Sequence, residues 1–164
     1  DENEAIPATV EVFDQKGEDL NNPEANFSIS TIEPNNGKNT IAIKDGQIYV
    51  CRGAAGMYVY DMQGNEQWHY QMPSATISQG DKKGTYKAYA NGCYVGNKYV
   101  YIAYGSYGID VLDKATHKVV AQRKVNKSAN YVVEHDGYIY VAYGKSRMQV
   151  FKLCGAEPET SYNE

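Results

Sequence analysis

The chain has little Pro and almost no Trp, with 5 and 1 among 164 residues, and Leu is scarce. Long runs with helical periodicity are hard to find, so a helical bundle is a poor fit. No stretch approaches the roughly 18 to 20 consecutive apolar residues that a membrane helix needs, and the mean hydropathy of -0.60 is that of a water-soluble chain. A stripe of one charge is also missing. Sixteen Lys and Arg face 20 Asp and Glu, a net charge of -4, a poor basis for holding nucleic acid by counterion release, so no nucleic-acid partner is expected. Cysteine is sparse: Cys51, Cys93 and Cys154 form no CxxC pair, and an odd count does not make a full disulfide framework. No basic-then-apolar leader opens the sequence, which leaves the compartment open.

What is abundant is Tyr, 16 residues against 3 Phe, together with 15 Gly. Tyr suits a half-buried pleated surface, where its ring packs and its hydroxyl reaches water. Three segments then align without a gap, from Asn39 to Asp61, Asn91 to Asp113 and Asn130 to Lys152. Repeated columns are Asn39, Asn91 and Asn130; Tyr49, Tyr101 and Tyr140; Gly53, Gly105 and Gly144; and Val59, Val111 and Val150. The copies start 52 and 39 residues apart, so the first interval carries an insertion. A unit of roughly 40 residues suits a four-stranded propeller blade. Apolar residues alternate with period two in each copy, which means strands rather than paired helices.

Each copy reads as strand a, a tight turn, strand b, a glycine-framed loop and strand c. The turns are Asp45-Gly46, Asn97-Lys98 and Asp136-Gly137, and Asp-Gly between strands signals a type I′ hairpin. Strand d follows in the first two copies, and the third has no room for one. Val10 to Asp14 matches the strand c pattern, with Asn26 to Ile32 as its strand d. The expectation is an all-β fold of antiparallel four-stranded blades of a β-propeller, about three and a half of them. The divisions are a partial blade 8–32, a blade 39–73, an insertion 74–89, a blade 91–125, a terminal blade 130–153 and a tail 154–164. Two copies would supply about seven blades, within the four to eight of closed rings.

The run from Tyr101 to Asp113, preceded by Asn91 and followed by Lys118-Val119-Val120, resembles the LVIVD repeats of bacterial envelope propellers. The first and third copies match in part; Arg147 stands where Gly108 does, and Lys152 where Asp113 does. The resemblance implies an exported protein of the periplasm or cell surface, with a lipid anchor in the full-length protein. It implies no activity.

Candidate chemistry is thin. The repeated Asn is read first as satisfying backbone between blades, and second as a ring of amides around a channel. Tyr49, Tyr101 and Tyr140 read as blade packing, whereas Tyr104 and Tyr143 stand equally as packing or rim residues. The b–c loops, Gly53 to Gly56, Gly105 to Gly108 and Gly144 to Arg147, vary inside a constant frame. Function is commonly grafted on a scaffold in that way. The ligand face would carry Arg52, Tyr104, Tyr107, Tyr143, Lys145 and Arg147. His69, His117 and His135 lack metal-ligand spacing, Asp61 and Asp113 read as turn caps, and Cys51 and Cys93 as small core residues. No catalytic residue, metal or cofactor is expected. The leading function is a binding or assembly scaffold that takes a protein partner or a second copy. The alternative is a propeller hydrolase or lyase whose site lies partly in further blades. In a third reading, Ser74 to Tyr89 is an arm that docks onto a partner.

Overall fold

The computed structural model describes residues 8–11, 28–31, 39–72, 75–79, 82–86, 88–123, 128–144 and 147–153. Asp14, Lys145, Cys154 and the tail lie outside them. The described residues hold strands and no helix, so no helix there is long and apolar enough to cross a membrane. The all-β expectation holds.

Five antiparallel sheets are present among the described residues. The first pairs β1 (Ala8–Glu11) with β2 (Ser28–Thr31). The second runs β3 (Asn39–Lys44), β4 (Gln47–Arg52), β5 (Met57–Asp61) and β6 (Glu66–Tyr70) in sequence order. A hairpin of β7 (Ala75–Gln79) and β8 (Lys82–Tyr86) occupies the stretch read as an insertion. Then come β9 (Gly92–Val95), β10 (Tyr99–Ala103), β11 (Ile109–Asp113) and β12 (Val119–Arg123), again in order. The last sheet is β13 (Ala129–His135), β14 (Tyr138–Tyr143) and β15 (Gln149–Lys152).

Local chemistry fixes the hairpins. Asp45 and Gly46 have φ of 50° and 70°, and Asp136 and Gly137 have 51° and 76°, the doubly left-handed geometry of a type I′ turn. Asn97-Lys98 lacks this and closes instead through the Gly96 N–H bonded to the Tyr99 carbonyl at 2.9 Å. Asp61 and Asp113 cap the c–d turns. Asp61 Oδ1 accepts from the Gln63 and Asn65 amides, both at 2.9 Å, and Asp113 Oδ1 accepts from Thr116 N at 2.8 Å. The Asn65 Nδ2 bond to Asp61 Oδ2 at 2.9 Å, together with those amide bonds, holds the Asp61 carboxyl below the usual range, and the Thr116 bond does the same for Asp113.

The three larger sheets stack face to face, with β9 packed against β3 on one side and β13 on the other. Alternation along the middle sheet explains why every residue of β10 is buried. Val100 and Ile102 join Tyr49, Cys51, Met57 and Val59 of the preceding sheet in one core. Tyr99, Tyr101 and Ala103 join Val132, Ile139, Val141 and Tyr143 of the following sheet in a second. A sheet covered on both faces reads as a continuous apolar run. The fourth strand, β12, is mostly exposed, as the outer strand of a blade is. First strands side by side and last strands outward is the arrangement of propeller blades.

Candidate functional site

The glycine-framed loops are seams between sheets. Gly53 and Gly105 sit at φ 56° and 55°, where a side chain is disfavoured. Their backbones bridge to the next copy. Gly53 exchanges hydrogen bonds with Ala90 at 3.1 and 2.9 Å, and Gly105 with Ala129 at 3.0 and 2.8 Å. Asn91 is buried and its Nδ2 donates to the Ala129 carbonyl at 3.0 Å, while Thr40 Oγ1 donates to the Asn91 carbonyl at 3.1 Å. Asn130 lies beneath Gly144, half-buried. Asn39 begins β3, and its side chain lies outside the described residues. Gly144 breaks the seam: it is exposed, and its N–H bonds to the carbonyl of Ser128, just before β13, at 3.1 Å.

The structure draws four of the six residues read as a ligand face into the interior. Arg52 is buried, its guanidinium 4.3 Å over the Tyr58 ring and its Nη1 donating to the Tyr60 hydroxyl at 3.2 Å. Tyr104 is fully buried and donates to the Tyr70 carbonyl at 3.1 Å, and Tyr107 is buried in the same core. Tyr143 is buried with its hydroxyl unpartnered. Arg147 is exposed, and Lys145 lies outside the described residues. Of the repeated strand b tyrosines, Tyr49 packs edge-on against Trp68 at 6.2 Å, and burial pushes its hydroxyl up to about 12. Tyr101 packs in the second core, and Tyr140 is half-buried on the last sheet.

One polar cluster escaped the sequence reading. Asp110 is fully buried where the preceding sheet packs, accepting from the Tyr70 hydroxyl at 2.7 Å and from Gln122 Nε2 at 2.9 Å. Burial raises its carboxyl above the ordinary range, and the two donors oppose that. Its only foreshadowing is one acid between Ile109 and Val111, and nothing in sequence points to Tyr70 as its partner. A cleft of about 210 Å³ between the middle and last sheets is lined chiefly by Ile109, Val111, Ala121, Ile139, Phe151 and Leu153, with Arg123 stacked 5.0 Å over Phe151. Among the described residues no group of three or more His, Cys, Asp or Glu is placed to hold a metal ion.

The most informative surface is the outer face of the last sheet. Tyr138, Met148 and Val150 are 45%, 61% and 46% exposed. Their counterparts Tyr99, Ile109 and Val111 in the middle sheet are 5%, 2% and 3% exposed, because the last sheet covers them. At the other end of the stack, Ile41 and Ile43 of β3 are exposed, whereas their counterparts Cys93 and Val95 are buried.

No protein-family model and no curated protein matches the chain. Among solved structures, the computationally designed Ika4 protein aligns at TM-score 0.44 and 9% identity, over 74% of this chain and 95% of that one. AztD from Citrobacter koseri aligns at 0.44 and 13% identity, over 76% of this chain and 34% of that one. BamB from Moraxella catarrhalis aligns at 0.40 and 15% identity, over 76% and 48%. The chain thus spans about a third of AztD and about half of BamB. The blade architecture rests on the strand pairing, not on these likenesses.

Proposed function

We propose that this chain is a non-enzymatic binding and assembly scaffold, an LVIVD-type propeller segment exported to the bacterial envelope. Its docking surface is the open face of the last sheet, and the occupant is a second copy presenting the β3 side of its β3–β6 sheet. The observation that carries this is the exposure of Tyr138, Met148 and Val150 at positions that are buried one repeat earlier. An apolar sheet face already used once as an interface in this chain suits another blade better than water. The exposed Ile41 and Ile43 supply the opposite half of such an interface. The repeats from Tyr101 to Asp113 support the envelope setting through their resemblance.

The test uses two substitutions at exposed sites, Val150→Arg and Ile43→Arg, made separately in the whole chain. Each alone buries a charge in every head-to-tail contact and should lower the native mass to that of one chain. Mixing the two variants leaves one unsubstituted interface and should restore a pair. A native mass unchanged by either substitution, or a mixture that stays single, would refute the docking assignment.

A further inference from the structure

Both described cysteines sit where the first two large sheets meet. Cys51 lies on β4 opposite Met57, and Cys93 lies on β9 opposite Ile102. Both are unpaired, buried and members of one core. Their strands are tied together close by: Gly53 bridges to Ala90, and Thr40, the register partner of Cys51, bonds to the Asn91 carbonyl at 3.1 Å. The Cys51 thiol acts directly on Cys93 across this seam.

The repeat shows what else these positions hold. One copy later, Cys51 corresponds to Ala103 and Cys93 to Val132, and that pair packs in the second core as plain apolar contact. Two equivalent interfaces therefore differ at this spot by the presence of a thiol on each side. Small buried core residues need no sulfur, and two facing thiols bring a chemistry that Ala and Val lack.

The geometry points to Cys51 and Cys93 as a cross-linking site, a disulfide that staples the first large sheet to the second. The bond closes the loop that contains β5 to β8, including the hairpin. Its formation balances as thiol–disulfide exchange. One thiolate attacks a sulfur of an external disulfide, such as oxidised glutathione or an oxidised exchange protein, and releases one external thiol. The second thiolate then displaces the other, so two protons and two electrons leave the pair and the external disulfide is reduced to two thiols. The neighbouring Cys51 thiol and then burial push the Cys93 thiol well above its ordinary range, so thiolate is scarce once the sheets have closed. Exchange accordingly takes place while the chain folds, and the finished bond is shielded from reductant. The site is independent of what docks on the last sheet.

The experiment refolds the full chain from denaturant with oxidised and reduced glutathione, alkylates under denaturing conditions and maps peptides without reduction. The expected result is a linked Cys51–Cys93 peptide, alkylated Cys154, a fall in free thiols from three to one, and a higher thermal midpoint than the reduced protein. Cys51 and Cys93 both alkylated after oxidative refolding, or either linked to Cys154, would overturn the assignment. The Cys51→Ala/Cys93→Val double variant copies the packing of the other interface and keeps the fold. It should lose the oxidant-dependent rise in midpoint, and a rise that persists there would equally overturn it.

Discussion

Gly56 offers a sharp test of how closely the b–c loop packs on the neighbouring strand. It sits at φ 93°, and a Cβ built there would press into the Tyr70 carbonyl oxygen and the Gln71 side chain, 3.1 Å from Gln71 Cα. The amide end of Gln71 can swing away, but the Tyr70 carbonyl is backbone and already accepts the Tyr104 hydroxyl from the next sheet at 3.1 Å. Gly46 is the control, with φ 70° and nothing within 4 Å of a built Cβ. Alanine at Gly46 bears the left-handed penalty alone, about 1–2 kcal/mol. Alanine at Gly56 bears that penalty plus overpacking of about 1–3 kcal/mol, so the expected total is about 2–5 kcal/mol. Urea unfolding of both variants, read as midpoint and slope, measures the difference. Equal losses at the two sites would refute the close-packed loop and the seam it supports.

Asp110→Asn tests the buried carboxylate. Its native value lies above the ordinary 3.8, so its contribution is full below that value and is lost as pH rises through the raised native one. Asn keeps an acceptor for Tyr70, and a turned Gln122 amide can accept from it. Relative to wild type the variant should therefore gain stability as pH rises through that window, and parallel pH profiles would contradict the assignment. Asn91→Ala removes the buried bond to the Ala129 carbonyl and should cost about 1–2 kcal/mol in urea unfolding. Asn130→Ala should cost less, since its one assigned bond, from Ser128 Oγ at 3.4 Å, is exposed.

The fold was legible because its signals are local. Asp45-Gly46 and Asp136-Gly137 demand type I′ turns, and apolar residues that alternate with period two mark the strands. The glycine frame was legible as a frame, but its purpose was not. That Gly53 and Gly105 reach Ala90 and Ala129 depends on how neighbouring sheets stack, which strand periodicity does not encode. The same gap explains the ligand face. Arg52 and Tyr104 end strand b beside the loops, yet each finds a partner, Tyr60 and the Tyr70 carbonyl, that only packing reveals. Aligned columns made Cys51 and Cys93 look like core filler, because a column compares copies and cannot show which residues face each other between them. Nor does the alternation of β14 differ from that of β10 in a way that marks one as exposed.

The central claim is that the open face of the last sheet takes a second copy of this chain. Sedimentation equilibrium of the 164-residue chain over a range of concentrations tests it most directly. The account predicts a particle of twice the 18.3 kDa chain mass that dissociates on dilution. A species that stays at the mass of one chain throughout would contradict it.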